Sequence, residues 1–113
     1  MKIPEQGCLL RIFIGEKDKY SGKPLYEWIV VKAREEGLSG ATVLRGMMGF
    51  GASATIHSDR VLRLSVDLPI VVECVDTDEK IESVIPTIDD MMGGGLITLE
   101  KANVIIYRPQ DKR

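Results

Sequence analysis

The chain has 113 residues, of which 44% are hydrophobic and 28% are charged, and its formal net charge is -2 at pH 7. This length predicts one domain over residues 1–113, and the mild charge argues against a nucleic-acid partner. Every apolar run is far shorter than the roughly 20 residues of a membrane-spanning helix, and the N-terminal residues lack the apolar core of a signal peptide. We therefore expect a cytoplasmic protein without direct membrane insertion.

The first half of the chain predicts a strand and a helix. Residues 8–16 are rich in β-forming side chains and predict a central strand covered on both faces. Pro24 suits the first turn of a helix that runs to about Glu36, and Gly37 is placed to end it. The side chains that share the apolar face of this helix are Leu25, Trp28, Ile29 and Ala33.

Residues 41–50 predict a second strand that becomes rich in glycine toward its end. Gly46, Gly49 and Gly51 allow backbone conformations that a side chain would forbid. The residues that follow, 52–60, are small and polar, and they predict a loop between two strands. Because loops on a rigid scaffold often carry binding sites, this loop is the first candidate.

Residues 61–75 predict a third strand that lies in two environments. Apolar and polar side chains alternate in its first half, which predicts one buried face and one exposed face. Pro69 removes a backbone donor and predicts an edge, a bulge or a bend. After it, residues 70–75 predict a buried inner strand.

The clearest helical pattern in the chain follows this strand. Apolar residues recur at spacings of three and four, and Asp76 with Glu79 resembles a capping box at the start. Pro86 predicts a kink or a break within the helix. Three glycines at 93–95 end it, and residues 96–107 predict a last strand or a strand pair.

The predicted element order is β-α-β-β-α-β, which in a small single domain indicates a ferredoxin-like sandwich. We therefore predict an α+β domain whose antiparallel sheet carries both helices on one face, with a core of about residues 8–108 and frayed ends. The other face of the sheet has no helix to cover it. The valine and isoleucine content of the strands predicts that copies of the chain associate through that face.

The glycine-rich turns are the candidate binding elements. Residues 49–54, Gly-Phe-Gly-Ala-Ser-Ala, match a loose dinucleotide fingerprint, but the residues after them make a poor helix start, so we reject a Rossmann site. No Gly-Lys-Ser/Thr sequence is present, which argues against a P-loop. Two interpretations stay open. The glycines serve only a tight bend, or, with the second cluster at 93–95, they form an anion-binding nest of backbone N–H groups.

The basic side chains add a few candidates for phosphate binding. A phosphate site needs cations, and the candidates in this chain are Arg45, Arg63, Lys101 and Arg108. Each of them alone is more often a solvated surface charge. His57, the single histidine, is also more often solvated than a ligand.

The remaining reactive side chains fit structural roles. Cys8 and Cys74 lie in strand-like runs and fit buried reduced thiols better than a metal site, which normally has four clustered ligands. Residues 16–18, Glu-Lys-Asp, follow the first strand where a loop can reach a ligand, yet a charged turn explains them equally well. No nucleophile carries the signature of a catalytic triad, so we expect neither a metal centre nor catalysis.

Several short motifs lie within the predicted strands or at their ends. The Gly-Phe-Gly sequence at 49–51 is followed by a polar loop, Asp-Leu-Pro-Ile-Val-Val-Glu at 67–73 lies in the third strand, and a glycine-rich turn precedes the last strand. Together these motifs resemble the nitrogen-regulatory PII superfamily. The sequences at 22–26 and 37–46 resemble more fully a family of small prokaryotic PII-like proteins, and that similarity covers about residues 8–108.

The resemblance implies a non-catalytic signalling protein that forms a homotrimer and binds an adenine nucleotide, ADP, AMP or ATP, in clefts between subunits. It also implies a regulated target protein, such as a transporter or a channel, that contacts the loop after Gly51. Typical PII proteins carry a lysine in the glycine turn before the last strand, and its absence here favours ADP or AMP. The implied nucleotide-binding residues, together with the cation candidates Arg45 and Arg108, are Gly49, Phe50, Gly51, Ala52, Ser53, Gly93, Gly94 and Gly95. The implied partner-binding loop residues are Ser53, Thr55, His57 and Asp59.

Two further classes of function stay open. Related ferredoxin-like trimers include a metal-tolerance family, and a metal-binding trimer is one alternative although this chain offers few ligands. A small phosphatase-type enzyme on the same fold is the other, and turnover of ATP or an acyl phosphate would reveal it. RNA binding is the weakest interpretation, because the central strands lack the paired aromatic residues on which bases stack.

Overall fold

A computed structural model describes residues 6–53, 55–59 and 67–110, and its main feature is an antiparallel sheet that carries two helices. The strands are β1 (Gln6–Gly15), β2 (Lys19–Tyr20), β3 (Lys23–Pro24), β4 (Thr42–Arg45), β5 (Met48–Gly49), β6 (His57–Ser58), β7 (Pro69–Asp76) and β8 (Leu96–Asn103). The helices are α1 (Leu25–Glu35) and α2 (Asp78–Met91).

The main sheet has the strand order β4-β7-β1-β8, and each neighbouring pair is antiparallel. β1 lies in the middle, between the strand that precedes α2 and the strand that follows it. The two β-α-β halves therefore interlock as in a ferredoxin-like sandwich, which confirms the predicted fold class. Two short hairpins, β2 with β3 and β5 with β6, stand outside the main sheet.

The core lies between the two helices and one face of the main sheet. Alternate residues of β1 and β7 point toward the helices, because successive side chains of a strand lie on opposite faces. Full burial of a valine, leucine or isoleucine side chain stabilises a fold by about 1.5–3 kcal/mol relative to exposure. The buried side chains of this core are Cys8, Leu10, Ile12, Ile14, Leu25, Ile29, Ala33, Ile70, Val72, Cys74, Ile81, Val84, Ile88 and Met91.

The two cysteines are buried in this core as free thiols. Cys74 lies opposite Leu10 in the register of β1 and β7, two residues along from Cys8, so both thiols lie on the helix-covered face. Burial raises the pKa of the Cys74 thiol to about 11, with a smaller contribution from the charge of Asp76, and burial also raises the pKa of Cys8. Both thiols therefore stay protonated near neutral pH.

The structure corrects the predicted start of the second helix. Thr77, not Asp76, is the N-cap of α2, and its side-chain oxygen accepts a hydrogen bond from the backbone N–H of Lys80 at 3.3 Å. Asp76 is instead fully buried, and its carboxylate accepts hydrogen bonds from the backbone N–H groups of Ser39 at 2.8 Å and Thr77 at 2.7 Å. The predicted break at Pro86 is absent. α2 continues through it, since Pro86 is exposed and water can solvate the carbonyl group that loses its partner.

The strands after α1 also differ from the prediction. The predicted strand 41–50 consists of two strands, β4 and β5. The backbone N–H of Gly46 donates to the carbonyl oxygen of Pro69 at 2.7 Å, after which the chain leaves the main sheet and pairs with β6. The predicted loop 52–60 therefore contains a short strand. Residues 61–66, which make up the first half of the predicted third strand, lie outside the described residues.

The face of the main sheet opposite the helices, here called the helix-free face, carries a row of apolar side chains. This row consists of Leu44, Val71, Phe13 and Leu96, which lie opposite one another across all four strands. Leu44 is 49% exposed and Leu96 is 55% exposed. Beside the row, the Arg11 guanidinium forms an ion pair with Glu73 at 2.8 Å and also contacts Glu100. The face that was predicted to lack helical cover is therefore partly apolar.

Candidate ligand-binding site

A cavity of about 380 Å³ opens at the end of β1, and it is here called the β1-end cavity. It lies between the turn that joins α2 to β8, the β5–β6 hairpin and the residues that lead into β7. Three segments that are distant in sequence therefore meet at one place. The lining residues are Phe13, Ile14, Gly15, Asp18, Gly49, Phe50, Gly51, Ala52, Ser53, His57, Asp67, Pro69, Ile70, Gly94 and Gly95.

Both glycine-rich turns identified in the sequence contribute to this cavity. Gly49 and Gly51 come from the turn at β5, and Gly94 and Gly95 come from the turn between α2 and β8. Gly93, the first glycine of the second turn, is exposed and is not part of the lining. The fold thus places the two turns side by side. In the sequence, their shared richness in glycine was the only sign that they belong to one site.

In the two glycine-rich segments, 46–51 and 93–95, three glycines are required by packing or backbone conformation. A Cβ atom at Gly46 would lie 2.7 Å from the Pro69 ring, and a Cβ at Gly49 would lie 3.1 Å from it. Gly95 has a φ of +126°, and a Cβ there would lie 2.6 Å from the carbonyl oxygen of Phe13. The tight-bend interpretation therefore holds for these three positions, which we call the packed glycines.

Gly51 and Gly94 differ from the packed glycines. A Cβ atom at either position would meet no heavy atom within 4 Å, and neither residue has a positive φ. Packing gives no reason for a glycine at these positions, yet both line the cavity. Their uncovered main chain can be approached closely by a small ligand, and backbone N–H groups in such a turn suit an anion. We call these two residues the open glycines.

Two carboxylates line the cavity and are held by the turn after β1. Asp18 Oδ2 accepts a hydrogen bond from the N–H of Gly15 at 2.9 Å, and Asp67 Oδ1 accepts one from the N–H of Lys17 at 2.8 Å. A Cβ at Gly15 would lie 2.8 Å from Asp67 Oδ2, so glycine permits this approach. The charged turn at 16–18 is the sequence signal for Asp18. Nothing in the local sequence places Asp67 beside it.

An aromatic ring and an imidazole also line the cavity. Phe50 is 70% exposed although it belongs to the lining, so most of its ring surface is available to a ligand. His57 lies in β6 opposite Gly49 and is half-buried, whereas the sequence placed it in an open loop. A strand of two residues shows no periodicity, which is why the sequence did not predict β6.

The cation candidates do not line this cavity. Arg45 forms an ion pair with Glu16 at 2.9 Å on the surface. Lys101 lies in β8 beside the start of β1, at the opposite end from the cavity, and Arg108 is exposed in the segment that follows β8. Arg63 lies outside the described residues. Within the described ranges, the lining therefore contains no lysine and no arginine.

The predicted partner-binding loop forms part of the β5–β6 hairpin. The backbone N–H of Asp59 donates to the carbonyl oxygen of Met47 at 2.9 Å, which extends the hairpin beyond its paired strands. Ser53 and His57 line the cavity, whereas Thr55 is exposed. Of the four predicted loop residues, two line the cavity, and Thr55 and Asp59 are exposed outside its lining.

A second hollow, of about 510 Å³, lies at the opposite end of β1, against the C-terminal segment. Residues 104–107 were predicted as part of a last strand or strand pair, but β8 ends before them and they form no strand. Neither glycine turn contributes to this hollow. The β1-end cavity is the better candidate, because it combines polar side chains, an exposed aromatic ring and open glycines.

Proteins similar in sequence to this chain identify its family. The DUF190 family model, described as an uncharacterized ACR, matches residues 7–104. The chain belongs to the DUF190 family. A UPF0166 protein of Aquifex aeolicus is 42% identical over 97 residues, which cover 86% of this DUF190 chain and 91% of that one. A UPF0166 protein of Methanocaldococcus jannaschii is 38% identical over 97 residues, which cover 85% and 89%.

A solved structure shares the fold of this DUF190 protein. It is CPII, a nitrogen regulatory PII-like protein from Thiomonas intermedia K12, bound to ADP, AMP and bicarbonate. The two chains match with a TM-score of 0.60 over 88% of each, at 16% sequence identity. This likeness shows that the chain has the PII-like fold, as the sequence motifs predicted.

Two observations on the described residues concern other functions. Neither α1 nor α2 has the length and apolar character that crossing a membrane requires. In the described part of the chain, no group of three or more His, Cys, Asp or Glu side chains is placed to bind one metal ion.

Proposed function

We propose that this DUF190 protein is a PII-like regulatory protein without catalytic activity that binds an adenine nucleotide in the β1-end cavity. The observation that carries this proposal is the meeting of the two glycine turns at one cavity of a PII-like fold. CPII, which shares that fold, is bound to ADP and AMP. We favour ADP or AMP over ATP for this chain, because its second glycine turn has no lysine to hold further phosphates.

The cavity offers a different contact for each end of a nucleotide. The exposed ring of Phe50 suits stacking on the adenine base, an interaction that contributes about 1–3 kcal/mol per base in nucleic-acid complexes. The main chain at Gly94 and Gly95 suits the phosphates, since backbone N–H groups in a glycine turn form an anion nest. Gly51, next to Phe50 in the chain, leaves room for the ligand in the cavity.

We further propose that the protein is a homotrimer whose subunits associate through the helix-free face. Leu44 and Leu96 are about half-exposed in a single chain, and association would bury them together with the rest of the apolar row. Closed symmetric assemblies of this kind are the usual form of homo-oligomers.

Association would also supply the cation that the described lining lacks. β8 runs from Leu96, beside Phe13, to Asn103, beside Gln6, and therefore leads away from the cavity. At about 3.3 Å per residue, this strand carries the following Arg108 toward the far end of the sheet in its own chain. We propose that Arg108 serves the cavity of a neighbouring copy.

The β5–β6 hairpin is the proposed contact for a target protein such as a transporter or a channel. Thr55, Ile56 and Asp59 are exposed, while Ser53 and His57 of the same hairpin line the cavity. A ligand in the cavity therefore touches the hairpin directly and can change the surface that it presents. The buried free thiols fit a reducing compartment, and we propose that this regulation occurs in the cytoplasm.

A thermal-shift screen of ATP, ADP, AMP and cyclic AMP on the purified protein tests the ligand. ADP or AMP should raise the Tm, since a ligand at 100 times its Kd stabilises the native state by about 2.7 kcal/mol. Light scattering on the same sample should give the mass of three chains. If no nucleotide shifts the Tm, the proposed nucleotide binding is wrong. If the mass is that of one chain, the proposed homotrimer is wrong.

A further inference from the structure

His57 is held at the β1-end cavity without a partner in the described part of the chain. It lies in β6 opposite Gly49 and is half-buried. Among the described residues, none forms a hydrogen bond or an ion pair with its imidazole, and no buried side-chain nitrogen is left unpaired there. Its ring nitrogens are therefore accessible. Because His57 lines the cavity, a ligand in the cavity can reach them.

The imidazole is also the one side chain of the described lining that can carry a positive charge. This lining has no lysine and no arginine, whereas Asp18 and Asp67 each contribute a carboxylate. Histidine has an ordinary pKa of about 6.5, so it gains or loses a proton near neutral pH. The charge that the described lining presents to a ligand therefore depends, near neutral pH, on the protonation of one residue.

The other charged groups around the cavity oppose an anionic ligand. Asp18 belongs to the turn after β1, Asp67 precedes β7, and Asp59 lies on the hairpin of His57, outside the lining. Arg45, at the end of β4, is already paired with Glu16 at 2.9 Å. A phosphate that enters the cavity therefore meets like charge from the described carboxylates and needs a positive charge to offset it.

We propose that His57 takes up a proton when the nucleotide binds, so that nucleotide affinity depends on pH. This inference rests on the proposed function and adds a regulation of the same site. A phosphate ester carries a charge of about -1.5 to -2 at pH 7. A sphere of 380 Å³ is about 9 Å across. At an effective dielectric constant of about 20, two opposite unit charges at that separation change an affinity by about 20-fold.

The direction of the pH dependence follows from these charges. The bound phosphate favours the protonated imidazole over the neutral one, so the protein binds the nucleotide and a proton together. Affinity should therefore be higher at low pH and should fall as His57 loses its proton. His57 belongs to the hairpin that is the proposed contact for the target protein. A change of pH would thus reach the target by the same route as the nucleotide.

Isothermal titration of AMP into the purified protein at pH 6 and pH 8 tests this linkage. His57→Gln keeps a polar side chain of similar size that cannot become charged. The wild type should bind AMP about tenfold more tightly than His57→Gln at pH 6 and within about threefold of it at pH 8. AMP itself gains negative charge over this range, but that contribution is the same for both proteins.

Two controls separate the phosphate and the hairpin from the imidazole. Adenosine has no phosphate, so its affinity for the wild type and for His57→Gln should agree within about threefold at both pH values. Asp59→Asn changes an exposed charge on the same hairpin outside the lining, and it should keep the wild-type affinities for AMP. Melting curves show whether both variants fold.

NMR of the wild type gives a readout that needs no variant. His57 is the single histidine of the chain, so its imidazole signals can be assigned without ambiguity. These signals should titrate at a higher pH with saturating AMP than without it, because the bound phosphate stabilises the charged ring. If His57→Gln fails to fold, this measurement decides.

Three results would overturn the proposal. The first is a ratio of wild-type to His57→Gln affinity for AMP that is the same at pH 6 and pH 8. The second is a histidine titration that AMP leaves unchanged. The third is a tenfold loss of adenosine binding in His57→Gln at pH 6, which would place the imidazole at the nucleoside instead of the phosphate charge. If no adenine nucleotide binds the wild type at either pH, the proposed function itself fails.

Discussion

Gly95 and Gly51 both line the β1-end cavity, yet they are glycines for different physical reasons. Gly95 has a backbone angle that side chains rarely adopt, and a Cβ there would lie 2.6 Å from a backbone oxygen. A Cβ at Gly51 would meet nothing within 4 Å. A glycine in a turn therefore indicates a ligand site only where neither packing nor backbone conformation requires it. By this criterion the choice of glycine supports binding at the open glycines, whereas at Gly95 it reflects packing and leaves the main-chain N–H free to serve a ligand or not.

Gly95→Val should destabilise the fold more than any other substitution considered for the cavity. It combines an unfavourable φ with a close contact to the backbone, and we expect a loss of about 2–4 kcal/mol in the free energy of unfolding. Urea denaturation measures this loss. Gly93→Val is the matched control, since a Cβ at Gly93 meets nothing within 4 Å, and it should stay within about 0.5 kcal/mol of wild type. Equal losses for both variants would show that close packing and the positive φ do not set the requirement for glycine at Gly95.

The pH dependence of stability provides a second test of the packed region, through the buried thiol of Cys74. Burial raises the pKa of its thiol from 9.0 to about 11, so between these values the unfolded chain loses a proton that the folded chain keeps. The unfolded state is then favoured, and stability should fall as pH rises through this window, by up to about 1.4 kcal/mol per pH unit. Well below pH 9 the thiol is protonated in both states and this group should have no effect. Denaturation of wild type and Cys74→Ala at several pH values should show a shallower decline for the variant.

Gly51→Val should affect binding and leave folding intact. A Cβ at Gly51 would meet nothing within 4 Å, so the valine should enter the cavity without a backbone clash. The affinity for AMP should fall about tenfold or more, while the free energy of unfolding stays within about 0.5 kcal/mol of wild type. Calorimetric titration and denaturation measure the two quantities. Gly40→Val is the control, because Gly40 also meets nothing within 4 Å but lies outside the lining. Wild-type affinity in Gly51→Val would show that this open glycine has no part in binding.

Phe50→Leu should give the smallest change, a drop of about fivefold in AMP affinity, since leucine keeps apolar contact but loses stacking. Stability should not change, because the Phe50 ring is 70% exposed. Ile56→Ala serves as the control, since Ile56 is exposed on the same hairpin and does not line the cavity. An unchanged affinity in Phe50→Leu would place the base elsewhere.

The elements with regular side-chain periodicity could be predicted from the sequence. The apolar spacing of α2 and the run of β-forming residues in β1 place both elements, and the fold class follows from their order. Features set by long-range hydrogen bonds could not be predicted. β4 ends before Gly46 because the next partner in register, Pro69, accepts the Gly46 N–H but has no N–H to return. Thr77 caps α2 in place of Asp76 because the Asp76 carboxylate is buried and accepts a bond from Ser39. No local sequence pattern indicates either of these long-range contacts.

The candidate site could be predicted in part. The two turns could be predicted from their glycine content, because glycine is the residue that most readily adopts unusual backbone conformations. Asp67 could not be found in the same way, since it reaches the cavity only through the pairing of β7 with β1. Arg45 and Arg108 stay predictions as nucleotide ligands, and both lie outside the lining described in a single chain.

A cocrystal structure of the protein with AMP tests most directly whether the two glycine turns form a nucleotide site. We predict that AMP occupies the β1-end cavity, with its phosphate within hydrogen-bond distance of main-chain N–H groups at Gly94 or Gly95 and its base beside Phe50. An AMP molecule bound elsewhere, or a cavity that stays empty at saturating AMP, would contradict this account.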